Sequence, residues 1–399
     1  MSDALDRRLR DELEEMRERG TYNELQNILG RQSAVVELEQ HGEVVNLCSN
    51  NYLGLCDEPA VMEGVQEGVD RHGAGTSSVR FICGTFQVHH ELEREIADFL
   101  AMDAAVTYTS CWNANEGLFE PLLGDEDVII SDALNHASII DGIRLARQVH
   151  GTDLKVYDHM DMDDLRARLE ESGDYRTRLV ITDGIFSMEG EIAPLPEIRE
   201  LCDEYDAVMA IDDSHATGVL GGTGAGTPEH FGMHGEVDIV TSTLGKALGG
   251  MAGGFTAASE PVVDYLEQNS RTQLFTNAVP PHSAQGALAA VRHLREHPEL
   301  IGKLHDNTAY FRRELEALGY EPIEGETPIV PIVVGDTADA IALSDRLLER
   351  GAFVVGFGYP VVPKGEARIR CQVSAAHERE HLDRVLDAME RIGTDLGLI

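Results

Sequence analysis

A chain of 399 residues with 71 acidic and 32 basic side chains carries a formal net charge of −39. That surface repels phosphate backbones and anionic lipid, which excludes nucleic acid and membrane as partners. The length allows two or three domains with sizeable cores. Acidity spread along the whole chain, rather than gathered in a tail, suits a halophilic protein in a salt-rich cytoplasm, where screening removes self-repulsion.

Taken in chain order, residues 3–19 set Leu5, Leu9, Leu13 and Met16 on one helical stripe, with Gly20 as its stop. The stripe precedes any obvious core, so it is expected to pack on the main body or on a second subunit. No signal-peptide pattern opens the chain and no run approaches the roughly 18–20 apolar residues of a membrane span, so a soluble, cytoplasmic protein is expected. Residues 34–47, broken at His41-Gly42, read as a hairpin, and 50–54 as a loop. From about 58 to 255 strand-like runs (104–109, 128–131, 154–157, 179–182, 208–211, 239–242) alternate with helical patterns near 90–101, 112–122, 137–149, 161–172 and 196–205. That rhythm predicts an α/β fold: a large, mostly parallel sheet covered by helices, with ligands at the carboxyl ends of the strands. After Pro280-Pro281, helices at 282–297 and 300–318, short strands at 329–334, 353–355 and 367–373, and a last helix at 377–397 predict a smaller α+β domain. The expected division is therefore 1–50 (helix and hairpin), 51–281 (large domain) and 282–399 (small domain). Cysteines 48, 56, 83, 111, 202 and 371 form no C-x-x-C pair; they read as reduced core thiols, and no zinc or other metal site is expected.

Lysine is scarce, occurring only at Lys155, Lys246, Lys303 and Lys364. Lys246 follows an apolar run at 239–243 and sits among Gly245, Gly249, Gly250, Gly253 and Gly254. A lysine on such a turn is partly desolvated, which lowers its pKa and makes the amine a usable nucleophile. The stretch is not a P-loop, because the required glycine and hydroxyl positions hold Val240 and Ala247; residues 221–226 lack dinucleotide spacing. Asp212 closes an apolar strand and needs a cation. A strand-end ion pair would satisfy it; beside one special lysine, so would a protonated pyridine nitrogen. His215 lies three residues on. His136 opens a helix, either as its cap or as a ring stacked on a cofactor. The segment 110–115 starts a helix whose N–H groups could seat a phosphate. Arg370 alternates with apolar residues on a strand, ready for an ion pair or a substrate carboxylate.

Thr241-x-Thr-Leu-Gly-Lys246, Asp212-Asp-Ser-His215, Asn135-His-Ala-Ser138, Thr182-Asp-Gly-Ile-Phe-Ser-Met-Glu-Gly190 and Asn50-x-Tyr-Leu-Gly54 together resemble the α-oxoamine synthases. These are pyridoxal-phosphate enzymes of the aspartate-aminotransferase fold (fold type I), and the resemblance runs from about residue 20 to the C-terminus. Within the family, Ser78-Val-Arg-Phe-Ile-Cys-Gly-Thr85, residues 132–144 and residues 356–365 are similar to the branch that joins glycine to acetyl-CoA. The resemblance implies that Lys246 carries pyridoxal 5'-phosphate and later acts as base. Asp212 would hold the pyridine nitrogen, His215 the phenolic oxygen, and His136 the ring face, with Ser187 a further ring contact. Cys111, Trp112 and Thr243 would seat the phosphate, while Asn50, His136 and Arg370 would meet substrate. Thr276 and Asn277 would reach a partner subunit's phosphate, which implies a homodimer with shared sites. The implied substrates are glycine and acetyl-CoA, and the implied functional neighbour is threonine dehydrogenase in threonine breakdown. In Phe275-Thr-Asn277 a Thr replaces the Ser of related acetyltransferases, keeping the hydroxyl. The residues after Thr85 (Phe86-Gln-Val) leave acyl-chain choice open, so a sister enzyme using a longer acyl-CoA with decarboxylation stays in view, as does a non-catalytic binding protein on the same fold.

Overall fold

A computed structural model describes residues 3–19, 21–22, 24–359 and 361–399; the expected helix stop at Gly20 lies outside them. The strands are β1 (Val35–Leu38), β2 (Gly42–Asn46), β3 (Ala104–Tyr108), β4 (Asp127–Asp132), β5 (Asp153–Tyr157), β6 (Thr177–Asp183), β7 (Val208–Asp212), β8 (Ile239–Thr243), β9 (Gly254–Ala258), β10 (Ile329–Gly335), β11 (Ala352–Phe353), β12 (Val355–Phe357) and β13 (Ala367–Gln372). Seven of them form one sheet in the order β3-β9-β8-β7-β6-β4-β5. All neighbours are parallel except β9, which runs against both β3 and β8. The carboxyl ends of β3, β4, β6, β7 and β8 therefore share one edge.

These strands read as unbroken apolar runs because both faces of the sheet are covered. Val128, Ile130 and Val180 point into one core, while Ile129, Leu179 and Ile181 point into another across the sheet. A smaller antiparallel sheet, β10-β13-β12, packs Ile369 and Val330 against Phe311, Leu343, Leu382 and Met389. Val45 and Leu47 join that second core, so the N-terminal hairpin packs with the C-terminal body.

Helices α1 (Asp3–Glu18), α2 (Pro59–His72), α3 (Gln87–Leu100), α4 (Cys111–Leu122) and α5 (Ala137–His150) come first in the chain. Helix α1 buries none of its residues, and Leu5, Leu9, Leu13 and Met16 stay about 40% exposed, so the stripe does not pack on the body of its own chain. The expected single strand at 353–355 is two strands: β11 pairs with β2, and β12 pairs with β13. A short apolar run cannot reveal which neighbour it will meet. Helices α2 and Thr337–Glu349, and strand β9, arise where no element was expected. Three cysteines are buried as expected, but Cys83 is exposed and Cys48 and Cys56 are half-buried.

Candidate active site

Register brings the acidic strand ends together. Asp183 stands opposite Asp212, and Asp212 opposite Thr241, at the shared edge of the sheet. The Asp212 carboxylate is buried and accepts hydrogen bonds from Asn115 Nδ2 at 2.6 Å and from the Ser214 backbone N–H at 2.9 Å. Cys111 Sγ lies 3.8 Å from the same carboxylate and accepts from Ser214 Oγ at 3.2 Å. Burial, then the charge of Asp212, push the Cys111 thiol well above its usual range, so it is protonated. The same two causes hold the Asp183 carboxyl well above the carboxylate range.

Lys246 sits on the turn after β8, between the buried Leu244 and the buried Ala247-Leu248 pair. The turn is tight against the loop beyond β7: a Cβ on Gly218, whose φ is +83°, would come 2.7 Å from that of Ala247. Lys246 is half-buried, and its Nζ makes no hydrogen bond or ion pair among the described residues. Burial lowers its pKa to about 8, against the opposing pull of Asp212.

His215 and His136 are both neutral, since burial pushes each below the usual histidine range, with the Lys246 cation adding to the effect. His215 Nδ1 is 2.7 Å from the hydroxyl of Tyr52, which is fully buried. The His136 ring meets Trp112 edge-on, with centroids 6.0 Å apart, and its Nδ1 is 2.7 Å from Ser138 Oγ. Helix α4 begins at Cys111 because Ser110 caps it, accepting from the Asn113 N–H. The Cys111 and Trp112 N–H groups then open the helix with no acceptor inside it. Thr243 pairs with Gly254 across β8 and β9, and a Cβ on Gly254 would stand 2.3 Å from the Cys111 nitrogen. Only glycine lets β9 pass so close beneath that helix end.

On β13, Arg370 donates from Nη1 to the Ser187 carbonyl at 2.7 Å and lies over the Phe357 ring at 5.0 Å. Its buried Nε has no partner, and neither has Oε1 of Gln372. Gln372 Nε2 instead donates to Asn50 Oδ1 at 2.9 Å. Ser187 thus engages Arg370 through its carbonyl rather than its hydroxyl. The chain brings Lys246, Asp212, His215, His136, Cys111, Trp112 and Thr243 to one sheet edge, with Arg370 and Asn50 linked to each other through β13. Thr276 and the exposed Asn277 lie after helix Arg271–Leu274, where Asn277 bridges to Val79; neither hydrogen-bonds to another expected site residue.

The donor set fits pyridoxal phosphate. An unpaired amine faces a buried carboxylate, a glycine-lined helix start offers free N–H groups, and a buried guanidinium nitrogen lacks a partner. No group of three or more metal-ligating side chains occurs among the described residues. Asn115, Tyr52 and Ser138 were not expected to act. Asn115 stands four residues after Cys111, on the same helix face, and that spacing was the available signal.

This arrangement defines a pyridoxal-phosphate enzyme of fold type I, and the chain belongs to the class I and II aminotransferase family, whose model matches residues 42–389. Within that class it is an α-oxoamine synthase, an acyltransferase. It is 45% identical to 2-amino-3-ketobutyrate coenzyme A ligase of Salmonella typhimurium, over 98% of each chain. It is also 45% identical to 8-amino-7-oxononanoate synthase 1 of Bacillus velezensis, again over 98% of each. A serine palmitoyltransferase variant from S. paucimobilis with a bound PLP–myriocin aldimine superposes with a TM-score of 0.92 at 27% identity, over 98% of each chain.

Proposed function

We propose that this enzyme condenses glycine with acetyl-CoA to give 2-amino-3-oxobutanoate and CoA, the activity of a glycine C-acetyltransferase. The observation that carries the reading is Arg370: a half-buried side chain whose Nε has no partner among the described residues, on the strand whose Gln372 holds Asn50 by its carbonyl and leaves the Asn50 side-chain N–H groups available. Such a fork suits a small amino acid's carboxylate. The identity to the 2-amino-3-ketobutyrate ligase supports it.

Pyridoxal phosphate, when bound, supplies a cationic ring that accepts the electron pair left as a Cα–H bond breaks. The chain's own residues do the rest. The Asp212 carboxylate would hold the ring nitrogen and its proton. His215, neutral and held by Tyr52, would hold the phenolic oxygen, and His136 and Ser187 would be further ring contacts. Cys111, Trp112 and Thr243 would seat the phosphate. Arg370 and Asn50 would bind the glycine carboxylate and fix its orientation in the site. Lys246, with a pKa of about 8, takes the glycine Cα proton on Nζ at neutral pH. The glycine Cα then bonds to the thioester carbon, the C–S bond breaks, and CoA leaves with its sulfur electrons.

The same reading makes the protein a homodimer in which Thr276 and Asn277 reach the partner's phosphate. It places the enzyme in threonine catabolism, beside threonine dehydrogenase. The charge of −39 supports a halophilic, cytoplasmic setting, and no helix among the described residues is long and apolar enough to cross a membrane. Turnover with glycine across acyl-CoA thioesters of increasing length, scoring CoA and CO2 together, tests the substrate. Fastest turnover with acetyl-CoA and no CO2 is expected. Preference for pimeloyl-CoA and alanine with CO2 release would select the 8-amino-7-oxononanoate reaction, which the second relative supports equally.

A further inference from the structure

Asn115 has no exposed surface, and its side chain ties together four elements of the site. One amide N–H donates to Asp212 Oδ2 at 2.6 Å and the other to Ser138 Oγ at 2.9 Å. Its carbonyl accepts from Thr241 Oγ1 at 2.7 Å. The orientation of the amide follows from these partners: reversed, it would set its carbonyl against the Asp212 carboxylate, two acceptors with no proton between them. Direction then passes along the chain of bonds. The Ser138 backbone N–H donates to His136 Nδ1 at 3.3 Å, which makes that nitrogen an acceptor, and Ser138 Oγ, itself accepting from Asn115, then gives its proton to the same nitrogen at 2.7 Å. With two donors aimed at Nδ1, the single proton of the neutral His136 ring stands on Nε2.

The backbone is built for this reach. Gly142 on α5 faces the backbone carbonyl of Asn115 so closely that a Cβ there would come within 2.7 Å of it. Helices α4 and α5 thus approach where the amide must span from β7 and β8 to Ser138.

We propose that Asn115 is a positioning residue that fixes, through one amide, both the plane of the Asp212 carboxylate and the tautomer and tilt of the His136 ring. The inference rests on the reading that Asp212 and His136 face the cofactor ring; Asn115 itself acts only through them. A buried carboxylate with one fewer donor is free to rotate, and a histidine without its relay samples the other tautomer.

The test uses the full-length apoprotein, with pyridoxal phosphate as the probe. Asn115→Leu keeps the branch at Cγ and the number of side-chain heavy atoms while removing all three bonds, and Ser138→Ala cuts only the relay to His136. Cofactor affinity is read by fluorescence titration, and the absorbance bands of the bound cofactor are followed across pH. Asn115→Leu is expected to weaken binding by about tenfold or more and to shift the pH midpoint of the bands; Ser138→Ala should weaken it by about threefold. Because the residues act as one relay, the double variant should be no worse than Asn115→Leu alone. An Asn115→Leu protein that melts like the wild type, and binds with unchanged affinity and bands, overturns the proposal, as do effects of the two changes that simply multiply. Where Asn115→Leu fails to fold, Thr241→Val takes its place in the same cycle with Ser138→Ala, and multiplying effects overturn the proposal there too. Failure of the wild-type apoprotein to bind the probe sinks the reading beneath it instead.

Discussion

Lys246 gives the sharpest quantitative expectation. Burial holds its pKa at about 8, against an ordinary value of 10.5. At pH 7 the neutral fraction is then about one in ten, compared with about one in three thousand for an unperturbed amine, roughly a 300-fold gain in nucleophile. The rate at which the apoprotein takes up pyridoxal phosphate should rise with pH through about 8 and level off above it, because only the unprotonated amine attacks. Removing the opposing carboxylate sharpens the test. Asp212 raises the lysine pKa, so Asp212→Asn should move the midpoint downward, on the order of one unit. Stability carries the complementary sign. Between about pH 8 and 10.5 the unfolded chain binds the lysine proton and the folded apoprotein does not, so this group makes the fold more stable as pH rises through that window. Below about 8 the burial penalty is present in full, and Lys246→Met should melt no lower than wild type at pH 7. Stopped-flow absorbance over a pH series, with Lys246→Met as blank, measures the first effect and calorimetry the second. An uptake rate still climbing past pH 10, or a midpoint that rises in Asp212→Asn, would refute the reasoning.

Gly254→Ala puts a methyl 2.3 Å from the Cys111 nitrogen, so the start of α4 must shift; pyridoxal phosphate retention on dialysis should fall by about tenfold, with the melting temperature the lesser change. Arg80→Ala leaves Glu93, 6% exposed, without the guanidinium 2.6 Å away, and urea titration should show a loss of about 3–5 kcal/mol. Although burial works against it, His90, Arg80 and Thr107 hold the Glu93 carboxyl down at about 2. Its stabilisation is complete above the ordinary value of 4.5 and fades as pH falls toward about 2, so the gap between wild type and Arg80→Ala should narrow across that range. Tyr52→Phe strips His215 Nδ1 of its 2.7 Å partner in a dry site; a loss of about 1–3 kcal/mol is expected from the same titration, and no loss would mean that water takes the hydroxyl's place.

Local sequence settled what depends on near neighbours. The apolar runs of β4, β6, β7 and β8, the cap at Ser110 and the glycine-flanked Lys246 were each legible, because strand burial, helix starts and tight turns are decided within a few residues. Pairing partners were not. Strand β9 is short and small-residued, and becomes a strand only because the glycine turn after Lys246 folds it back between β3 and β8. The split of 352–357 between two sheets likewise rests on which neighbour each half meets. Within the site, Asp212 announced itself as a carboxylate at the end of a buried strand. Asn115, Ser138 and Tyr52 did not, because a hydrogen bond between residues 97 positions apart leaves no periodic trace in either segment. Sequence by itself determined which side chains carry charge and chemistry; the tertiary fold alone decided which polar groups hold them in place, since register and helix approach set distances that no local pattern encodes.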